Sequence, residues 1–219
     1  MKQIMTSVFL IVILIGCSAK NTPLVELIEV TGGSMILGSE DEDDNKPHRV
    51  NLDTFYMAKY PVTMKLWKQF LAETKLFFDW DLKPLDMETT YRKLLDNDTY
   101  AAQGMTWYYA VVFCNWLSKK HGLTPAYTIN DSYDFMTWPN DWNTSRMNVR
   151  VKCNLNNGFR LPTAAEWEYS AQGGTKTQNF IYSGSSSLDE VGWYKNNSNK
   201  RTNLIGQKKA NELGIYDMS

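Results

Sequence analysis

The residues of this chain best suited to nucleophilic, redox or metal chemistry are three cysteines and two histidines. Cys114 and Cys153 lie far apart in the sequence, and neither His48 nor His121 forms a zinc-binding spacing with them. The chain also lacks the G-x-S-x-G motif of a nucleophilic serine and the glycine-rich loop that cradles phosphates. Taken alone, the residues form no complete catalytic set.

Acidic residues offer two further candidates. In "SEDEDDNKPH", Asp41, Asp43 and Asn45 alternate as in an EF-hand, but a lysine stands where that loop needs glycine, so we predict a solvated loop. The pair Glu166 and Glu168 suggests glycoside hydrolysis, yet two residues apart on a helix they point in different directions. We therefore assign Glu166 a structural role.

The start of the chain has the pattern of an export signal. Lys2 precedes the apolar run "VFLIVILI" (residues 8–15), which is shorter than the about 20 residues needed to span a bilayer. The following "LIGC" resembles the lipobox of bacterial lipoproteins, in which cleavage precedes a lipid-modified cysteine. We predict a lipoprotein signal peptide over residues 1–16, lipid on Cys17 and a tether over residues 17–26. The alternative is an ordinary cleaved signal in which the cysteine is incidental.

The resulting localisation is the bacterial cell envelope, with the membrane as partner through the lipid anchor. In an exported protein Cys114 and Cys153 could form a disulfide. Alternatively, Cys114 is a core residue, since free cysteine is among the most buried residue types. The spacing does not decide between the two.

The chain has 219 residues and is 43% hydrophobic and 13% aromatic, a composition that indicates a folded domain. A formal net charge of -1 provides no basic surface, so no nucleic-acid partner is expected. Eight tryptophans favour a core that holds loops without long helices.

The elements expected to position these residues are strands at the start and three helices. "LIEVTGGSMILGS" predicts two strands around a Gly-Gly turn, and "HRVNLDTFYMAKYPVT" predicts one strand. Thr63 is expected to cap a helix over residues 64–73, and Thr106 a helix that carries Cys114 on its inner stripe. Thr163 and Glu166 form a capping box before the third helix. We expect residues 75–104 to be a surface excursion and residues 123–158 a loop region.

Several stretches, in order, resemble one family. "NGFRLPTAAEWEYSAQGG" is similar to the signature of the formylglycine-generating enzymes, the sulfatase-modifying factors. "GGSMILGS", "MTWYYAVVFCNWLS" and "NELGIYDMS" resemble further motifs of that family. The resemblance covers residues 27–219 and implies an α+β fold, a variant of the C-type lectin fold with low regular secondary structure.

The resemblance also implies what the family chemistry would need. Its founding enzyme oxidises a sulfatase cysteine to formylglycine with oxygen and copper, using two cysteines downstream of a "GNVWEW" stretch. The sequence stops before that stretch, so we expect a C-terminally incomplete domain that is inactive in this form. Cys114 and Cys153 occupy other positions, and copper would act only with the further segment. The histidine set of the iron-dependent sulfoxide synthases is not supplied by two histidines.

The family's two calcium sites carry over only partly. Asp217 matches a ligand of one site, and Asn197 with a backbone carbonyl near Asn199 matches the other, while Val191 replaces a further asparagine. These are weak calcium candidates, because Ca²⁺ takes six to eight oxygen ligands. The alternative is that the asparagines of "NNSN" simply form turns.

Three functions agree with the sequence. The first is an exported lipoprotein with a catalytically inactive sulfatase-modifying-factor domain. The second is a non-enzymatic, C-type-lectin-like surface-display protein that binds a protein or peptide ligand. The third is a lipoprotein assembly factor of a secretion or motility machine.

Overall fold

Short strands and helices joined by long irregular segments make up the domain. The computed structural model describes residues 24–40, 45–75, 97–103, 105–138, 150–199 and 202–219, and the backbone of residues 13–14. The helices in these ranges are α1 (Met64–Thr74), α2 (Trp107–Lys120), α3 (Ala164–Ala171) and α4 (Leu188–Val191). The strands are β1 (Ile13–Leu14), β2 (Leu27–Val30), β3 (Gly33–Leu37), β4 (His48–Leu52), β5 (Phe55–Ala58), β6 (Tyr127–Thr128) and β7 (Lys152–Cys153). The expected α+β class with little regular structure is confirmed.

The strands form three antiparallel sheets, in the orders β1-β5-β2, β3-β4 and β6-β7. The predicted hairpin around Gly32 and Gly33 is therefore wrong, because β2 and β3 pair in different sheets. Glycine is needed at both positions because other parts of the chain approach the backbone closely there. A Cβ on Gly32 would lie 2.3 Å from the Leu52 carbonyl oxygen, and one on Gly33 would lie 2.4 Å from the Tyr169 hydroxyl oxygen.

The single strand predicted after His48 is likewise two strands, β4 and β5, in different sheets. The chain crosses between them at residues 53–54, where the Thr54 hydroxyl accepts a hydrogen bond from the Gly32 N–H at 3.1 Å. Phe55 and Met57 of β5 then enter the core, and both are buried. One alternating stretch thus serves two sheets, because a crossing, unlike a turn, needs no glycine or proline signal.

Helices α1 and α2 begin where the threonine caps predict. The Thr63 hydroxyl accepts from the Leu66 N–H, and the Thr106 hydroxyl accepts from the Tyr109 N–H. The two helices meet through an aromatic cluster whose ring centroids lie 4.9 to 5.6 Å apart, formed by Trp67, Phe70, Phe113 and Trp116. Trp107, the first residue of α2, is 52% exposed.

The prediction that residues 75–104 form a surface excursion is wrong at the C-terminal end of that range. Ala101 and Ala102 are buried, and the Ala102 N–H donates to the Val62 carbonyl at 2.7 Å. Residues 76–96 lie outside the described ranges, as do Asp41 and Asp43 of the acidic loop. Residues 24–26, expected in the tether, contact the domain, since the Glu26 carbonyl accepts from the Lys59 N–H.

The region predicted as loop after α2 contains two strands that Asn115 attaches to the helix. The buried Asn115 amide donates to the Tyr127 carbonyl at 2.8 Å and accepts from the Tyr127 N–H at 2.9 Å. Tyr127 pairs in register with Cys153 on β7. This side-chain clamp acts as a third strand would, because it satisfies the free edge of β6.

The third helix is held by an ion pair as well as by its predicted cap. Thr163 and Glu166 make the reciprocal hydrogen bonds of a capping box, so that prediction is confirmed. The Glu166 carboxylate also accepts two hydrogen bonds from the Arg160 guanidinium, at 2.8 and 2.5 Å. Both side chains are buried. Burial raises the pKa of Glu166, but the Arg160 and Thr163 hydrogen bonds outweigh it and hold that pKa below its usual value.

We predict that Glu166→Gln lowers the free energy of unfolding by about 3 kcal/mol, because it leaves the buried Arg160 charge uncompensated. Urea unfolding at neutral pH measures the loss. The exposed pair of Lys68 and Asp98 gives the control, since Asp98→Asn should cost less than about 1 kcal/mol.

The same variant has a pH signature. Because the folded-state pKa of Glu166 is lowered, its contribution is present above the unfolded value of about 4.3 and is lost as pH falls through the folded value. The stability gap between wild type and Glu166→Gln should therefore narrow in acid. A constant gap from neutral pH to below about pH 3 would contradict this assignment.

Candidate functional site

Asp217 lies in a tight turn against β5. Its backbone is left-handed, with φ of 59°, and its carboxylate accepts a hydrogen bond from the Gly206 N–H at 2.8 Å. Burial raises the pKa of Asp217, although the Gly206 hydrogen bond opposes the shift. The neighbouring Tyr216 stacks on Tyr60 with ring centroids 4.8 Å apart, and its N–H donates to the Lys59 carbonyl. The turn is thereby fixed at the end of β5.

Asn197 organises the turn that follows α4. Its side-chain oxygen accepts from the Tyr194 N–H at 2.8 Å, and its amide donates to the Gly192 carbonyl at 3.0 Å. A longer contact of 3.3 Å reaches the Asp189 carboxylate. Asn199 is exposed and left-handed, with φ of 53°. These contacts support the alternative that the asparagines of "NNSN" form turns.

The calcium candidates therefore belong to two separate turns. The side-chain oxygen that Asn197 would give to a cation already accepts a backbone hydrogen bond. Within the described residues, no group of three or more His, Cys, Asp or Glu side chains lies close enough to hold a metal ion. The described side chains supply few of the six to eight oxygens that Ca²⁺ takes.

Cys114 and Cys153 are both free thiols. Cys114 is fully buried on α2, as predicted, and burial raises the pKa of its thiol far above the usual value. Cys153 lies exposed on β7, where partial desolvation by its neighbours raises the pKa of the thiol and the Arg160 charge opposes the shift. A raised pKa disfavours the thiolate, which is the nucleophile and the metal ligand. Cys17 lies outside the described residues.

Sequence reasoning missed a set of exposed apolar residues that precede and follow α4. Ile181 is 75% exposed, and Phe180, Tyr182 and Trp193 are each more than a third exposed. We call these four residues the aromatic surface. Lys208 Nζ lies 4.2 Å from the Trp193 ring centroid and Lys209 Nζ lies 5.9 Å from that of Phe180, so lysines border it. The available signal was the run "FIY" in an otherwise polar stretch.

Asn211 holds the segments around this surface together and was also missed. Its buried amide donates to the Ser170 carbonyl at 2.8 Å and to the Ser183 hydroxyl at 3.1 Å. Its side-chain oxygen accepts from the N–H groups of Leu213 and Ile215, each at 3.1 Å. One side chain therefore joins α3, the loop beside the aromatic surface and the last described segment.

Comparison with known proteins identifies the family. Residues 15–219 match the family described as "Sulfatase-modifying factor enzyme 1-like domain". The chain belongs to this family of formylglycine-generating sulfatase-modifying factors. The family and the fold that the sequence motifs predicted are confirmed.

Among similar proteins, "Chaperone protein LppX" of Paenibacillus barcinonensis is 36% identical over 93% of this chain and 72% of its own length. "Inactive C-alpha-formylglycine-generating enzyme 2" of Bos taurus is 26% identical, over 72% of the chain and 52% of the relative. "Formylglycine-generating enzyme" of Bos taurus is 28% identical, over 73% and 42% respectively. The chain thus spans about half the length of these two cattle relatives or less.

A solved structure extends the comparison. "Treponema denticola variable protein 1" superposes with a TM-score of 0.66 and 30% identity, over 89% of this chain and 73% of that one. This agrees with the C-type-lectin-like variant expected from the sequence. None of the described helices has both the length and the apolar character that a membrane span requires.

We predict that the purified chain binds calcium weakly or not at all. Isothermal titration should show no dissociation constant of about 1 μM or tighter, because the turns of Asp217 and Asn197 supply too few oxygens. Asp217→Asn, which tolerates the left-handed backbone, is the matched control and should give the same heats as wild type. A micromolar site that disappears in Asp217→Asn would contradict the prediction.

Proposed function

We propose that this chain is a lipid-anchored protein of the bacterial cell envelope whose sulfatase-modifying-factor domain binds protein or peptide segments without forming formylglycine. The aromatic surface is the observation that carries the proposal. Soluble proteins seldom leave large apolar side chains clustered outside unless the cluster binds something.

Anchoring is supported by the order of Lys2, the apolar run and Cys17 in the sequence. A relative 36% identical over 93% of the chain carries the lipoprotein-type name LppX. Bacterial lipoproteins carry several acyl chains, and more than one is needed for stable attachment to a bilayer. The folded domain would then stand next to a membrane surface.

The proposal that this chain does not form formylglycine rests on its two described thiols. Formylglycine formation by the family uses a cysteine pair that holds copper. Cys114 lies in the core, and the pKa of each thiol is raised, so Cys114 and Cys153 do not fit that role. A relative named as an inactive formylglycine-generating enzyme provides precedent within the family.

Binding is supported by the chemistry of the aromatic surface. Exposed Ile181 and Trp193 offer apolar contact, and Lys208 and Lys209 add positive charge beside the rings. Rigid aromatic side chains bordered by cations suit extended protein segments, since such rings bury much area at little entropic cost. A relative named as a chaperone supports unfolded segments as the ligand.

A second candidate is a surface-display protein. The similarity to "Treponema denticola variable protein 1" at a TM-score of 0.66 favours it, because a protein named as variable shares this fold. The role of an assembly factor in a secretion or motility machine is a further alternative. All three share the lipid anchor and a binding surface.

Intact-mass analysis of the membrane fraction tests the anchor. We predict a chain that begins at Cys17 and carries the added mass of lipid. Cys17→Ala should lack that lipid. Detection of residue 1 on the wild-type protein, or an unmodified Cys17, would refute anchoring.

Suppression of client aggregation tests binding. Light scattering of reduced insulin should fall when the wild-type chain is added, and Ile181→Ser and Trp193→Ser should weaken the effect about fivefold or more, the cost of a hot-spot residue. Leu155→Ser and Trp167→Ser are matched controls, because Leu155 is 79% exposed and Trp167 41% exposed outside the aromatic surface.

Equal loss in test and control variants would refute a specific surface. The same preparation, incubated with copper, oxygen, a reductant and a sulfatase-motif peptide, should yield no aldehyde by mass spectrometry. Aldehyde above a no-protein control would overturn the non-enzymatic assignment.

A further inference from the structure

His121, the C-cap residue of α2, contacts the segment that leads into β2. Its Nε2 atom accepts a hydrogen bond from the Leu24 N–H at 3.4 Å. The half-buried ring also packs edge-on against Phe159, with ring centroids 5.1 Å apart. Leu24 begins the segment of residues 24–26, which we call the strap. In the sequence, the strap lies between the predicted lipid site at Cys17 and strand β2.

The other end of the strap is held by Lys59, the residue after β5. The Lys59 N–H donates to the Glu26 carbonyl at 2.8 Å, and Lys59 Nζ lies 2.8 Å from the Glu26 carboxylate. Val25, between the two attachments, is partly buried against the core. The attachment at Leu24 differs from that at Glu26, because it depends on an imidazole, the side chain that ordinarily titrates near neutral pH.

We infer that His121 is a pH-sensitive switch for the strap: the neutral ring keeps Leu24 on the domain, and the protonated ring releases it. A neutral imidazole donates at one nitrogen and accepts at the other, whereas an imidazolium donates at both. Protonation at Nε2 would therefore set the ring N–H against the Leu24 N–H. The switch is separate from the aromatic surface, and its effect at the membrane rests on the proposed lipid anchor.

The surroundings of His121 favour the neutral ring. The charged groups on the elements packed against it are Lys119 and Lys120 of α2, Glu26 of the strap, and Arg160 next to Phe159. All but Lys119 are held in ion pairs within the domain. The C-terminal end of a helix favours a cation, yet burial outweighs this effect and lowers the pKa of His121. Protonation therefore opposes the packed arrangement, and this cost appears as pH falls below the unfolded value of about 6.5.

Release of Leu24 would lengthen the chain that links the domain to the lipid. With Leu24 bound, the link runs from Cys17 to Leu24. Without this contact it runs to Glu26, two residues further along. An extended chain spans about 3.3 to 3.6 Å per residue, so the anchored domain would gain about 7 Å of reach from the membrane in acid.

Hydrogen exchange at the Leu24 amide of the full processed protein in lipid nanodiscs tests the switch. Its protection factor, which corrects for the intrinsic pH dependence of exchange, should fall about fivefold from about pH 7.5 to about pH 4.5, the effect of losing one hydrogen bond. The Lys59 amide, which is bonded to the Glu26 carbonyl, should keep its protection. A Leu24 protection factor that is constant over this range would overturn the switch.

His121→Gln is the matched variant, because glutamine can accept from the Leu24 N–H and does not titrate. Its Leu24 protection should be equal at the two pH values. Low protection at both values also supports the switch, since it shows that the imidazole holds Leu24. His48→Gln removes the other histidine, whose Nδ1 contacts the Lys46 carbonyl, and should keep the wild-type response. A fall in His121→Gln as large as in wild type, or loss of the response in His48→Gln, would overturn the assignment to His121.

The intact mass of the same sample separates this inference from the proposed anchor. If Cys17 carries no lipid, the anchor and the change in reach are refuted, while exchange at Leu24 still tests its contact with His121. If Cys17 is lipidated but the Leu24 protection factor is independent of pH, only the switch is refuted.

Discussion

The buried ion pair between Arg160 and Glu166 is the contact on which much of the fold depends. A carboxylate and a guanidinium out of water are stable only when their hydrogen bonds are nearly complete. Glu166 meets this condition by also accepting from the Thr163 N–H, so one side chain neutralises a charge and begins α3. The adjoining Leu161 N–H donates to the Tyr127 hydroxyl at 3.0 Å, which connects the pair to β6 and, through Asn115, to α2.

From α3 the same logic of buried polar contacts extends to the end of the described chain. The α3 residue Ser170 gives its carbonyl to Asn211, and Asn211 in turn orders the backbone around Leu213 and Ile215. In a domain with little regular structure, such side chains satisfy backbone groups that a sheet would otherwise pair. The loops that carry the aromatic surface are thereby held without strands or long helices.

The proposed binding role agrees with the side chains that this architecture presents. Its two described thiols are placed by packing, one in the core and one on a short strand, and neither is favoured as a thiolate. The aromatic surface presents apolar side chains to solvent, and Lys208 and Lys209 border it. A family scaffold known for enzymes can thus present a binding surface, because fold and function are decided by different residues.

The sequence by itself determined the local features and the family. Thr63, Thr106 and Thr163 cap helices because a cap needs only a hydroxyl and N–H groups within three residues. Tertiary structure decided the rest. The sequence predicts a hairpin turn at Gly32 and Gly33. Glycine is required there because residues far along the chain approach the backbone closely. The partners of Asn211 and the exposure of Ile181 depend on segments that meet only in the folded domain. Periodicity and capping act within one element, whereas strand pairing and surface composition arise between elements.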